Sequence, residues 1–315
     1  MRGTNYSGMG DYACVWKIWL LLGLGVCACA DRIDVPHGGI SLAEYVLGEL
    51  PTLDYRGEQT LMFVVQPSLD KHVSAALLEK GWEVNLNQLY KTLLDEEKPA
   101  SYIATLDVGA NLGAFSLYVA SLGRKLYSFE MQPNMQMLLE LSRRVNNFNR
   151  MTLFHAALWN ETGKEISFTP VRGNFGGTGA RSDSAGAIKM HTNRLDDFFL
   201  LGSEVFFMKI DVEGAEEYVL QGFSNFLAQG RVKHLVMETR RNQAFIVAWF
   251  YDLGFKCGLY DRTLFDKAAF VSDVAKIGVE TYNDIYCRWI GGGKASPLVS
   301  RRSLYGVYEH GSGWR

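Results

Sequence analysis

The stretch from Thr105 to Met131, TLDVGANLGAFSLYVASLGRKLYSFEM, constrains this chain more than any other. Ile103 to Val108 is a short apolar run suited to a buried parallel strand. Gly109-Ala110-Asn111-Leu112-Gly113 follows, where a missing Cβ lets backbone N–H groups come close to a ligand. Phe115, Tyr118, Val119 and Leu122 then recur at helical spacing, and Gly123 stops the helix. Lys125 to Phe129 reads as a second strand with Glu130 at its carboxyl end. An acid about 20 residues beyond a glycine turn is placed to accept both hydroxyls of an adenosine ribose. The pattern predicts an open α/β sheet with a nucleotide-type ligand at its carboxyl edge.

Two ligand chemistries use this layout. Dinucleotide enzymes prefer G-x-G-x-x-G, because a pyrophosphate lies against the helix N-terminus. Here the turn is D-x-G-x-N-x-G and begins with Asp107 inside the strand end. An acid there repels a pyrophosphate but suits the ammonium group of a methionine moiety. S-adenosylmethionine is therefore favoured over NAD, with Asp107, Gly109, Ala110, Asn111, Gly113 and Glu130 as its expected contacts.

A second stretch sharpens the expectation. Phe206 to Ile210 is a strand, followed by Asp211-Val212-Glu213-Gly214-Ala215-Glu216 and a helix through Val219, Leu220, Phe223 and Leu227. The succession DVGANLG, a strand ending in an acid, then KIDVEGAE about a hundred residues on resembles the FkbM family of S-adenosylmethionine-dependent methyltransferases. Asn146-Asn147, Ala156-Ala157-Leu158, Asn193-Arg194-Leu195-Asp196-Asp197 and Val236-Met237-Glu238 follow in the expected order. The resemblance spans about Asp70 to Leu259. It implies the seven-stranded class I methyltransferase fold, a Rossmann-like mostly parallel sheet with helices on both faces. It also implies O-methylation, in relatives usually of a sugar or polyketide hydroxyl.

Methyl transfer from a sulfonium needs an aligned acceptor oxygen and a group to take its proton. Asp211, at the end of its strand, is the first candidate for base or hydroxyl anchor, with Glu213 beside it. Asp211 is also an expected cofactor contact, and Ala156 and Ala157 are small enough for an adenine to lie on the backbone. Asp211 and Glu238 are candidate ligands for a divalent cation, though metal dependence is not the favoured reading. Glu216 reads as helix-start charge, and Lys209 as a partner for a carboxylate. His155, late in a strand, reads as structural. Arg240 and Arg241 suit either an acidic group on the acceptor or a solvated helix start. Residues 171–190, rich in glycine, are either a loop that closes over the acceptor or an ordinary surface loop.

The chain has 315 residues, 48% apolar, enough for one α/β core with extensions. A formal charge of −2 leaves no nucleic-acid footprint. Arg2 and Lys17 precede the apolar run Ile18 to Val26, closed by Ala28-Cys29-Ala30. Residues 1–30 are thus expected to be a secretory signal peptide cut before Asp31, or a retained signal anchor. That places the protein in the secretory pathway, lumenal or secreted, membrane-bound only if anchored. Cys257 and Cys287 would then remain, on two adjacent antiparallel strands of the implied fold, as a disulfide or as two small buried hydrophobes. Asn160-Glu161-Thr162 is a glycosylation sequon. Residues 31–100 are expected to cap the cofactor cleft, with a Ser41–Glu44 capping box and an amphipathic helix through Leu86, Leu89, Tyr90 and Leu93. Its acidic end, Asp95-Glu96-Glu97, disfavours helix and predicts a solvated loop. Glu83 reads as a surface carboxylate first and as a residue approaching the cofactor second. Residues 101–290 form the expected methyltransferase domain and 291–315 a tail.

Overall fold

The computed structural model describes residues 45–182, 186–198, 204–239, 243–260 and 283–292. The leader, the Ser41–Glu44 box, Arg240, Arg241 and the tail beyond Gly292 lie outside them.

The described chain opens with an antiparallel hairpin, β1 (Tyr45–Leu53) and β2 (Gln59–Val65). Asp54 closes its turn by accepting from the N–H groups of Arg56 at 2.8 Å and Glu58 at 3.0 Å. Helices α1 (Ser74–Lys80) and α2 (Val84–Glu97) follow. The motif seen in the sequence then gives β3 (Ala104–Val108), α3 (Ala114–Ser121), β4 (Leu126–Glu130) and α4 (Pro133–Val145). Pro133 opens α4 because a first-turn residue needs no intrahelical N–H bond. β5 (Met151–His155) ends the first half. Two short elements, β6 (Ala157–Leu158) and β7 (Glu165–Phe168), join β8 (Ile188–Asn193) in a small side sheet. The second half holds β9 (Val205–Ile210), α5 (Glu216–Gly222), α6 (Ser224–Ala228), β10 (Val232–Thr239), α7 (Gln243–Asp252), β11 (Phe255–Tyr260) and β12 (Asn283–Trp289).

Seven strands form the main sheet in the order β11-β12-β10-β9-β3-β4-β5. β10, β9, β3, β4 and β5 run parallel, while β12 is antiparallel to both its neighbours. This is the class I methyltransferase arrangement. From β3 the chain builds outward one way through β4 and β5, then returns to build the other way from β9. The crevice of such a sheet lies where the order reverses, above the carboxyl ends of β3 and β9. Val108 pairs with Ile210 there, so Gly109 and Asp211 are brought side by side.

Both faces of the sheet are covered. Leu89, Tyr90, Phe115, Leu117 and Leu139 pack one face; Val219, Phe223, Val247, Phe250 and Phe255 pack the other. Full burial of each such side chain contributes about 1.5–3 kcal/mol. The buried Tyr90 hydroxyl is satisfied by Thr105 Oγ1 at 2.8 Å. The edge of β2 is closed by α4 side chains, since Ser142 Oγ and Asn146 Oδ1 accept from Phe63 and Leu61 N–H at 2.9 and 2.8 Å. An otherwise bare strand edge is thereby paired without a third strand. The hairpin therefore sits beside α4, and only the segment after it reaches the cleft expected to lie under the cap.

The acidic end of α2 is helix, contrary to the loop expected. Asp95 pairs with Lys91 one turn back at 2.6 Å. Glu97 is held by Lys233, by His234 Nε2 at 3.2 Å and by Arg288 at 3.0 Å. Burial opposes ionisation of Glu97, but Lys233 and His234 outweigh it and hold its carboxyl below the usual range. Two cations, Lys233 of β10 and Arg288 of β12, thus offset the dipole penalty. Cys257 and Cys287 stand directly opposite each other in the β11–β12 ladder, fully buried, and are joined as a disulfide.

Candidate active site

The glycine turn after β3 is shaped by left-handed backbone at Gly109 (φ +80°), Asn111 (φ +52°) and Gly113 (φ +90°). At Gly109 the absence of a side chain is obligatory: a Cβ would lie 1.8 Å from the carbonyl oxygen of Asp211. The two strand ends are locked by Asp211 N–H donating to Val108 O at 2.9 Å. Gly109 and Ala110 N–H both donate to Phe129 O at 3.0 Å, which ties the turn to β4.

Glu130 is buried at the end of β4. Its two oxygens accept from Asn111 N–H and Gln132 N–H, each at 2.7 Å. Burial pushes its carboxyl up to about 7, against the pull of those two donors. A carboxylate has about four acceptor positions, so two remain for a ligand diol. Asn111 Oδ1 is buried with no hydrogen-bond partner among the described residues, an orphan of the kind a ligand donor satisfies. Ala156 and Ala157, small and buried, line the same cavity of about 290 Å³. These acceptors and this small-residue wall fit S-adenosylmethionine.

Asp107 lies beneath the turn rather than in the cavity wall. It is fully buried and accepts from Ser116 Oγ at 2.6 Å. Its burial raises the carboxyl above the ordinary value. Asp107 braces the turn from below through α3. Glu213 takes a left-handed conformation (φ +55°) in the turn after β9 and lines the cavity, with its carbonyl against Gly179. Asp211 lines this cavity and a second one of about 270 Å³. Lys209, Glu83, Trp82 and Glu238 also line both.

Glu83 departs most from its expected place. It is not a surface carboxylate: its side chain is 6% exposed and pairs with Lys209 Nζ at 2.8 Å. Lys209 also faces Asp211 at 3.7 Å and Asp107 at 3.9 Å. Burial alone favours a neutral amine, but these three acids outweigh it and keep Lys209 charged. Burial raises the Glu83 carboxyl, with Lys209 opposing. A lysine inside an otherwise apolar strand announces a buried anion, but its partner comes from a segment more than a hundred residues away.

The other expectations divide. Glu216 is buried and accepts from Val212 and Gly214 N–H at 3.2 and 3.0 Å, so it orders the turn rather than merely charging the helix start. Its carboxylate lies within 4.8 Å of those of Asp211 and Glu238, a trio with the reach to hold a cation. His155 Nε2–H donates to Met131 O at 2.9 Å, in a structural role. The glycine-rich loop reaches the cavity through Asn174, Gly176 and Thr178, and Gln132 Nε2 fixes it by donating to Phe175 O at 3.0 Å. Asn174 belongs to the glycine-rich loop expected beside the cleft, whereas Gln132 belongs to no spaced motif and carries no signal in the sequence.

Residues 107–257 match the methyltransferase FkbM domain. No curated protein matches the chain. Among solved structures it is similar to an rRNA methylase from Streptococcus thermophilus, at 11% identity over 64% of this chain and 95% of that one, with a TM-score of 0.38. The METTL16 MTase domain aligns at 10% identity over 76% and 85%, with a TM-score of 0.43. A T. thermophilus 16S rRNA N2 G1207 methyltransferase in complex with AdoMet and guanosine aligns at 13% over 78% and 51%, with a TM-score of 0.40. The domain starts at the aspartate beneath the glycine turn and ends at the β11 cysteine, enclosing Glu130, Asp211 and Glu238: residues 107–257 are a methyltransferase FkbM domain, and the chain is a SAM-dependent methyltransferase.

Proposed function

We propose that this protein transfers a methyl group to a hydroxyl of a sugar or glycoconjugate inside the secretory pathway. S-adenosylmethionine supplies the methyl group on an already activated sulfonium. The chain's task is then to hold, align and deprotonate. Glu130 takes the ribose hydroxyls, Asn111 an adjoining donor, and Ala156 and Ala157 leave a flat wall for the adenine. Asp211 anchors the acceptor hydroxyl and receives its proton, with Glu213 shaping the turn that carries it.

The observation that carries this reading is the meeting of two cavities at Asp211, Lys209, Glu83 and Glu238. One suits the donor and the other the acceptor, with a carboxylate common to both. The second cavity pairs apolar Val84, Leu86 and Val236 with acidic Glu238 and Asp284, a lining matched to a hydroxylated ring with a hydrocarbon face. A formal charge of −2 supports no nucleic-acid acceptor. The secretory setting is supported by the leader expected in residues 1–30 and by the Cys257–Cys287 disulfide, a bond that persists in oxidising compartments.

Calorimetric titration with S-adenosylhomocysteine tests the cofactor half: micromolar binding is expected, lost by at least about tenfold in Glu130→Ala, as removal of a charged hydrogen-bond acceptor costs 1.5–3 kcal/mol. Radiolabelled methyl transfer to a panel of glycosides, peptides and oligonucleotides tests the acceptor half. Labelling of peptides or oligonucleotides with none of glycosides would refute the proposed acceptor.

A further inference from the structure

The segment that precedes the family domain supplies two residues at the point where the cavities meet, Trp82 and Glu83. Their placement is deliberate in backbone terms. Gly81 has φ +76° and Glu83 has φ +55°, and a left-handed glutamate costs about 1–2 kcal/mol. That cost is met where Glu83 reaches the buried Lys209 ammonium at 2.8 Å. Strain of this kind concentrates where a site depends on it. Lys209 presents a difficulty to the proposed function, on which this inference rests. A sulfonium must lie near the shared wall, because its methyl group leaves one cavity for the other. An unbalanced ammonium in that wall would repel it.

We propose that Trp82 and Glu83 form a sulfonium-selecting corner: Glu83 cancels the Lys209 charge, and Trp82 offers an aromatic face to the cation. Together they make the site prefer the charged methyl donor over its neutral thioether product. The acids facing Lys209 support this arrangement unequally, since Asp211 and Asp107 stand at 3.7 and 3.9 Å and Glu83 alone makes a close pair. Product release would follow from the same preference, because loss of the methyl group removes the charge that the corner holds. No bond changes within the corner itself; its residues bind and select.

The test uses calorimetry on the full chain with three ligands: S-adenosylmethionine, S-adenosylhomocysteine and sinefungin, whose amine is cationic at the corresponding place. Glu83→Gln removes the nearest negative charge from Lys209, and the ratio of S-adenosylmethionine to S-adenosylhomocysteine affinity should fall about tenfold, as for one negative charge lost a few ångströms away. Sinefungin should weaken in step. Trp82→Leu should lower the same ratio about threefold, and Trp82→Phe should restore part of it. A purely structural role would weaken all three ligands alike, and an unchanged ratio in folded Glu83→Gln or Trp82→Leu protein overturns the inference. If Glu83→Gln does not fold, the Trp82 pair of variants decides alone. Failure of the native protein to bind any of the three would instead refute the underlying methyltransferase site.

Discussion

Gly109→Ala isolates the contact on which the site's geometry rests. Two costs are built into the position. Its φ of +80° is left-handed, which charges an alanine about 1–2 kcal/mol. The added methyl would also lie 1.8 Å from Asp211 O, where ordinary contact begins near 3.4 Å. That oxygen belongs to backbone pinned between β9 and α5, so the strand ends must part by more than an ångström. Overpacking of this kind costs a further 1–3 kcal/mol, giving a loss of about 3 kcal/mol in all. Gly163→Ala is the matched control: its φ is +84°, yet nothing lies within 4 Å of the added Cβ. Urea unfolding should show about 1 kcal/mol lost in the control and about 3 in Gly109→Ala. S-adenosylhomocysteine binding should drop at least about tenfold in Gly109→Ala alone, because Gly109 and Ala110 carry the turn that orients Asn111 toward Glu130. Equal destabilisation of the two variants would show that the close approach of β3 and β9 does not constrain the site, and the reasoning would fail.

Two further outcomes follow from the same structure. Glu130 titrates near 7 when folded against an ordinary 4.5, so its contribution to stability is full below pH 4.5 and is lost as pH rises through 7. Ligand hydroxyls need the ionised form, so S-adenosylhomocysteine affinity should rise about tenfold from pH 6 to pH 8 and be flat in Glu130→Gln; a flat native profile would refute the ribose assignment. The Cys257–Cys287 bond spans 30 residues, and replacing both cysteines by alanine should cost about 3 kcal/mol in chemical unfolding, with free-thiol titration of native protein finding neither cysteine reactive.

Much of the sheet was legible because its strands are short, apolar and buried on both faces. β3, β4 and β9 fall within a residue or so of the runs read from composition and turn signals. The glycine turn was legible for a sharper reason: an acid, two glycines and a distant Glu130 leave few backbone solutions. The hairpin β1–β2 was not foreseen, because its outer edge is satisfied by Ser142 and Asn146 of a helix some eighty residues on. The acidic end of α2 was misread for a related reason. Local dipole chemistry argues against Glu97 in a helix, but Lys233, His234 and Arg288 arrive from strands that are remote in sequence.

The sequence by itself determined that this chain alternates strand and helix, where the parallel core lies, and which carboxyl ends carry Glu130 and Asp211. Those properties depend on periodicity and on backbone rules that act over a few residues. Only the tertiary structure decided which acids face the cofactor and which brace it. Asp107, expected at the ligand, is sealed against Ser116; Glu83, expected in solvent, is sealed against Lys209. Burial sets what a charge can do, and burial is a property of packed layers, not of neighbours in the chain.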